Sequence, residues 1–117
     1  MDIPYGVFFV TAPNKETAEK LSRGLVEAKL AACVNILPNV TSTYRWEDKI
    51  ETAEEFFLII KSKLGLAPEI SAFVKQNHPH KVPEIICLPI VNGSPQYLNW
   101  VGANTVIAKD ILSLVTG

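Results

Sequence analysis

The stretch Leu30–Ser62 has the sequence LAACVNILPNVTSTYRWEDKIETAEEFFLIIKS. Its first half alternates apolar and polar residues from Val34 to Trp46, which is the period-two pattern of a strand with one buried face. Its second half begins acidic and becomes continuously apolar from Phe56 to Ile60, which is typical of a strand at the centre of a sheet covered on both faces. A polar turn at Trp46–Lys49 joins the halves, so the stretch is predicted to be a long β-hairpin.

The length of this hairpin predicts self-association. The fourteen residues from Cys33 to Trp46 would extend about 46 Å at roughly 3.3 Å per residue. A compact chain of this size is only about 35 Å across, so the hairpin should overhang its domain and expose the apolar residues near its tip. Such a surface beside an unpaired strand edge is usually covered by another chain. Pro38 cannot donate to the ladder, and we expect it to bend or bulge the first strand.

Shorter elements are predicted before the hairpin. Gly6–Thr11 is an apolar strand, and Asn14 is the expected N-cap of an amphipathic helix of about fourteen residues. Gly24 lies inside this helix, and we attribute it to a close approach of the helix to the sheet. The apolar face of the helix is predicted to consist of Ala18, Leu21, Leu25 and Ala28.

After the hairpin, Gly65–Asn77 is predicted to be a second amphipathic helix with Pro68 at its first position. Val82–Val91 is an apolar strand, and Ser94 begins a short helix that ends near Gly102. From Ala103 to Gly117 the pattern fits either a last strand or further helical turns, and we interpret it as a subunit-packing tail. The resulting order, β-α-β-β-α-β plus a small helix, predicts one α+β domain of the ferredoxin-like, split βαβ class.

Composition excludes several classes of protein. Eleven basic and twelve acidic residues give a net charge of −1, which supplies no field for nucleic acid or an anionic membrane. The N-terminal MDIPYGVFFVT is acidic where a signal peptide is basic and too short in its apolar run for a membrane span. The two cysteines, Cys33 and Cys87, form no disulfide framework and predict a reducing compartment. We expect a cytoplasmic protein, or an organellar one if a presequence was removed.

Among the polar clusters, His78-Pro79-His80 with Glu84 is the densest. Imidazole nitrogens and a carboxylate suit zinc, copper or nickel, although the same residues also suit a solvated loop. Cys33 would add affinity for copper if the fold brings it near these histidines, and otherwise it is a small buried residue. The sequence contains no phosphate-binding glycine loop and no G-x-S-x-G or H-E-x-x-H motif. We therefore predict no enzyme activity and no obligatory cofactor.

The run LAACVNILPNVTSTYRWEDKIE, followed by HPHKVPEIICLPI and YLNW, resembles the CutA divalent-cation-tolerance family over nearly the whole chain. Asp48 stands where that family usually has glycine, and His80-Lys81 where it usually has tyrosine and a polar or acidic residue. The resemblance implies a homotrimer with inward-facing sheets. It also implies a family cysteine at Cys33 and a binding or interface group at the hairpin tip and subunit boundary, formed by Tyr44, Trp46, Lys49, Glu51 and Trp100.

The function implied by this resemblance is divalent metal binding and tolerance, with copper or zinc as the ion, by a soluble, heat-resistant trimer. Two alternatives remain open on the sequence. One is a PII-like trimer that binds a small effector in the clefts between subunits. The other is a trimeric scaffold that recruits an unidentified protein partner.

Overall fold

The computed structural model describes residues 4–107. Strand β1 (Tyr5–Ala12) is followed by helix α1 (Lys15–Glu27), whose predicted N-cap is confirmed because Asn14 Oδ1 accepts a hydrogen bond from Thr17 N at 2.8 Å. The remaining elements are β2 (Cys33–Trp46), β3 (Lys49–Lys63), a 3₁₀ turn (Leu64–Leu66), α2 (Ala67–Asn77), β4 (Ile85–Pro89) and α3 (Pro95–Ala103).

The four strands form one antiparallel sheet in the order β2-β3-β1-β4, so the predicted ferredoxin-like fold is confirmed. Strands β2 and β3 pair from Cys33 opposite Lys61 to Trp46 opposite Lys49. The molecule measures 45 × 35 × 26 Å along its principal axes. Its longest dimension exceeds the roughly 35 Å expected of a compact chain of this size, as predicted for a hairpin that overhangs its domain. The register shifts between Leu37 and Val40, which confirms the bulge expected at Pro38.

The turn at the hairpin tip uses two residues in the left-handed region. Glu47 has φ 49° and Asp48 has φ 66°, the geometry of a two-residue turn that matches the twist of the flanking strands. Aspartate adopts this region more readily than most residues. The turn therefore forms without the glycine that the family usually places at position 48.

The core lies between the sheet and the two longer helices. Phe8, Val10, Leu58 and Ile60 point from β1 and β3 towards α1 and α2, and each is at most 1% exposed. Helix α1 contributes its predicted residues Ala18, Leu21 and Leu25, and α2 contributes Ile70 and Val74. The expected fourth member of the α1 face, Ala28, is instead the exposed C-cap.

The expected reason for Gly24 is wrong, because the close approach is between helices. A Cβ atom added to Gly24 would lie 2.4 Å from Cζ of Phe73 in α2. The glycine lets the two helices pack together on the same face of the sheet, which places α1 beside both α2 and the root of the hairpin.

Two element boundaries also differ from expectation. Strand β4 is Ile85–Pro89, shorter than the predicted Val82–Val91. Pro83 has no amide hydrogen to donate to a sheet. The predicted end residues, Val82 and Val91, lie outside the strand and are 87% and 82% exposed. Helix α2 begins at Ala67, one residue before Pro68. Most of the predicted tail, residues 108–117, lies outside the described residues.

Candidate functional site

The loop after α2 brings His78 and His80 together, with their ring centroids 4.9 Å apart. His78 Nε2 lies 2.8 Å from the carbonyl oxygen of Thr11, and His78 Nδ1 accepts a hydrogen bond from the backbone amide of His80 at 3.1 Å. Because a carbonyl can only accept, Nε2 carries the hydrogen and Nδ1 carries the lone pair. The imidazole of His80 is exposed, as is Glu84.

Cys33 lies elsewhere in the subunit. It pairs with Lys61 on β3, whereas Thr11, which holds His78, pairs with Phe57. Four residues along β3 amount to roughly 13 Å, and the two strand spacings from β2 to β1 add roughly 10 Å across the sheet. Cys33 and His78 of one subunit are therefore too far apart to share an ion, whose ligand bonds are about 2.0–2.3 Å.

Around Cys33 the structure assembles a polar and aromatic group. Cys33 Sγ is 3.9 Å from Oδ1 of Asn35, which also accepts a hydrogen bond from Lys61 Nζ. Burial raises the pKa of Tyr97, and the charge of Cys33 and a hydrogen bond with it raise that pKa further. The Tyr97 ring is 5.6 Å from the ring of Trp100. This group, which we call the root cluster, lies at the base of the hairpin under α3.

The hairpin tip carries four of the five residues that the family resemblance grouped. Tyr44 is opposite Glu51 and Trp46 is opposite Lys49, with Tyr44 44% and Trp46 62% exposed. Trp100 belongs to the root cluster, at the opposite end of the hairpin. About twelve residue pairs separate the two ends, or roughly 40 Å. One subunit therefore does not bring Trp100 to the tip.

The face of the sheet opposite α1 and α2 is apolar and only partly covered. Its residues alternate with the core residues along each strand, and the rings of Phe9 and Phe57 pack at 5.2 Å. Helix α3 covers the end near Tyr5, where a Cβ on Gly102 would lie 2.8 Å from the tyrosine hydroxyl oxygen. The uncovered part, which we call the open face, consists of Val7, Phe9, Leu37, Phe57, Ile59, Ile86 and Leu88.

Sequence reasoning missed two contributors to these sites. The carbonyl of Thr11 fixes the tautomer of His78, and no side-chain pattern could reveal a backbone acceptor 67 residues away in sequence. Tyr97 was placed only in the short helix that Ser94 begins, although Trp100, in the same YLNW motif, was singled out. Tyr97 and Trp100 are three residues apart on α3, a spacing that places both on one side of a helix and could have identified the pair.

Within residues 4–107, no three His, Cys, Asp or Glu side chains converge into a group suited to a metal ion. The helices of this part of the chain are also too short or too polar to cross a membrane.

The sheet order, the two helices on one face and the overhanging hairpin define a ferredoxin-like protein with an extended arm. The family described as CutA1 divalent ion tolerance protein matches residues 6–104, and the chain belongs to this family. The crystal structure of CutA1 from Oryza sativa superposes with a TM-score of 0.88 and 43% identity, covering 91% of this chain and 97% of that one.

Two relatives show the range of the family. The divalent-cation tolerance protein CutA of Thermus thermophilus is 42% identical over 99 residues, covering 85% of this chain and 96% of that protein. The Arabidopsis thaliana protein described as "Protein CutA, chloroplastic" is 45% identical over 103 residues, covering 88% of this chain and 57% of that protein. The chain spans only 52–60% of the length of the relatives from mouse, Arabidopsis and human.

Proposed function

We propose that the protein acts in divalent-cation tolerance as a homotrimer that binds copper or zinc, without catalysing a reaction. Family membership supports the cation role. The observation that carries the proposal is the open face together with the exposed hairpin tip. Ile86 and Leu88 are 48% and 44% exposed, and Trp46 and Ile50 are each 62% exposed. Exposed apolar surface of this extent marks a binding surface.

A ring of copies would cover both surfaces with one contact. Each subunit presents a flat apolar face and an arm that extends beyond its own domain. The arm of one copy can therefore close over the next, and a heterologous contact of this kind closes into a ring when its rotation permits. The family resemblance supports three as the number of copies.

Sedimentation equilibrium of the parent protein tests this assembly. We expect a trimer, and we expect Ile86→Glu to dissociate it, because a carboxylate would be buried without a partner in the interface. Val82→Glu is the matched control, since Val82 is 87% exposed on the loop before β4. A parent protein that is monomeric at micromolar concentration, or an Ile86→Glu protein that stays trimeric, would contradict the proposal.

Assembly also makes heat resistance depend on concentration. Association stabilises the folded subunit by mass action, so the melting temperature should rise as the protein concentration is raised. Ile86→Glu should abolish that dependence. A reversible melt that is independent of concentration in the parent would argue against linked folding and association.

For the metal, His78 offers a defined ligand atom. Its Nε2–H donates to the Thr11 carbonyl, as metal-bound histidines commonly do with a backbone acceptor. Its Nδ1 lone pair accepts a hydrogen bond from the amide of His80, at 3.1 Å. An ion at Nδ1 would replace that hydrogen bond, and the nearby exposed imidazole of His80 would supply a second nitrogen. Glu84 is the proposed carboxylate ligand.

The distance of Cys33 from the histidines restricts its role. Within one subunit it cannot complete the histidine site, so its contribution would come from a neighbouring subunit of the trimer. A thiolate prefers softer ions, and we therefore propose that Cys33 contributes to copper binding and not to zinc binding.

Calorimetric titration with Cu²⁺ and Zn²⁺ tests these assignments in the parent, His78→Ala, His80→Ala and Cys33→Ser. The histidine variants should lose affinity for both ions, and Cys33→Ser for copper alone. Coordination uses the imidazole lone pair, so protons compete with the ion for the same nitrogen atoms. Cys87→Ser is the control thiol, because Cys87 packs against the core on the helix side of the sheet. Equal affinities in all of these proteins would refute the site.

We also propose a reducing compartment, the cytoplasm or an organelle interior. Both cysteines are free. They lie on opposite faces of the sheet, because Cys33 pairs with Lys61 on the open side and Cys87 pairs with the core residue Phe8. Subcellular fractionation with detection of the native protein would test this, and recovery from an oxidising compartment would contradict it.

A further inference from the structure

A polar depression lies between the start of α1 and the end of α2, beside His78. Its volume is about 370 Å³, and its lining includes Glu16 and Lys20 from α1 and Asn77 and His78 from the end of α2 and the loop after it. The imidazole of His78 and the carboxylate of Glu16 therefore border the same small space. The fold thus brings to His78 a carboxylate that lies far from it in the sequence.

The carboxylate of Glu16 is available for a ligand. One residue earlier on α1, Lys15 pairs with Glu19 at 3.7 Å. Glu16 and Lys20 have the same four-residue spacing, in the orientation that stabilises a helix more strongly. Within residues 4–107, however, neither Glu16 nor Lys20 has an ion pair or a hydrogen bond from its side chain. Both side chains are exposed, so Glu16 is free to turn towards the depression.

The charges around the depression favour a cation at the end of α2. Asn77 is the last residue of α2, and the backbone carbonyls at a helix C-terminus carry partial negative charge. The start of α1 has the opposite sign, and Glu16 in the first turn of α1 supplies the negative charge that offsets it. Lys20 lines the same depression with a positive charge, which opposes a cation there.

Coordination would bring Glu16 to an ion held by His78. Because Nε2 of His78 donates to the Thr11 carbonyl, only Nδ1 can bind the ion. Zinc lies about 2.0–2.2 Å from its nitrogen and oxygen ligands, so two ligand atoms of one ion lie within about 4 Å of each other. Glu16, His80 and Glu84 are exposed, and each can turn towards that ion. Glu16 would complete the four ligands of a tetrahedral zinc site.

We propose that Glu16 is a further ligand of the divalent cation at His78, and that Lys20 lowers the affinity of this site. The inference rests on the proposed metal binding through His78, and it adds a ligand from outside the loop after α2. A bound ion would then link the start of α1 to the end of α2.

Calorimetric titration with Zn²⁺ at low ionic strength is the first test. Glu16→Gln should weaken zinc binding by about tenfold or more, the order of loss that follows removal of an interaction at a metal site. Glu19→Gln is the matched control, because it removes the same charge from the same helix at a residue that pairs with Lys15, and it should bind zinc as the parent does. Parent-like binding by Glu16→Gln, or equal weakening by both variants, would overturn the proposal.

Lys20→Gln should change the affinity in the opposite direction. Removing a positive charge from the lining of the depression should strengthen zinc binding by about two- to fivefold. Added salt should reduce this gain, because it screens exposed charges. Unchanged or weaker binding by Lys20→Gln at low ionic strength would overturn the role assigned to Lys20.

His78→Ala separates a failure of this inference from a failure of the proposed metal site. If His78→Ala loses zinc binding and Glu16→Gln retains it, Glu16 is not a ligand and the histidine site stands. If His78→Ala binds zinc as the parent does, the site at His78 is refuted, and the assignment of Glu16 is refuted with it.

Carbon-13 NMR of the side-chain carboxyl groups provides a measurement that does not depend on affinity. When Zn²⁺ is added to the parent, the Glu16 carboxyl resonance should shift and the Glu19 resonance should not. In His78→Ala, the Glu16 resonance should stay in place at the same zinc concentration. An unshifted Glu16 resonance in the zinc-saturated parent would overturn the proposal.

Discussion

Replacing Gly24 with alanine should destabilise the protein, although alanine is the better helix former. In an exposed helix the change would stabilise by about 1 kcal/mol. Here the new Cβ would lie 2.4 Å from Phe73 Cζ, and Phe73 is partly buried against the core. Overpacking costs about 1–3 kcal/mol, so the net loss should be on the order of 1 kcal/mol. Urea unfolding at one fixed protein concentration, followed by far-UV circular dichroism, would measure it.

Two further variants show whether the contact with Phe73 is the cause. In a Phe73→Leu background the ring tip is absent, so Gly24→Ala should become stabilising by about 0.5–1 kcal/mol, and the double-mutant cycle should show coupling. Gly65→Ala is the matched control, because nothing lies within 4 Å of its added Cβ, and it should stabilise by about 0.4–1 kcal/mol. If Gly24→Ala stabilises as Gly65→Ala does, the close helix packing is refuted.

Three other predictions concern the hairpin. Trp46→Ala should weaken assembly, since burying one large side chain contributes about 1.5–3 kcal/mol per copy; an unchanged sedimentation profile on dilution would contradict this. Asp48→Gly should raise the free energy of unfolding by about 0.5–1 kcal/mol, because φ is 66° there and glycine adopts this region without a steric cost. Urea unfolding measures the change, and an increase below about 0.5 kcal/mol would show that Asp48 is not strained in this turn. Cys33→Ser should lower the pKa of Tyr97, because burial and then Cys33 raise that pKa above its ordinary value of 10.0. Ultraviolet titration measures the pKa, with Tyr97→Phe as the control that lacks this phenol. An unchanged midpoint in Cys33→Ser would exclude the contact.

The raised pKa of Tyr97 also sets the sign of a pH effect. A phenol that ionises less readily in the folded state favours unfolding once the unfolded chain begins to ionise. Stability should therefore be unaffected by Tyr97 below pH 10.0, its ordinary value, and should fall as the pH rises above it. The effect is small, because Tyr97 is 42% exposed.

The parts of the fold that depend on local patterns were predictable. Alternation along β2 and the apolar run in β3 gave the hairpin and its central strand, and Asn14 and Ser94 cap their helices as their positions indicate. The errors arose where a local pattern met a tertiary neighbour. Strand β4 pairs with β1 only over Ile85–Pro89, because Pro83 has no amide hydrogen to donate. Gly24 is required by the close contact with Phe73, which is 49 positions away in sequence.

For the site, the sequence alone determined which ligand types are present and that His78 and His80 are neighbours, since two residues in one loop cannot separate far. Only the tertiary structure decided that Nδ1 of His78 carries the lone pair, because the Thr11 carbonyl that fixes the tautomer comes from another strand. The same holds for Cys33, which the sheet register places at the root of the hairpin and away from the histidines. Period and composition are local properties of a chain, whereas register and distance arise only when separate strands pair.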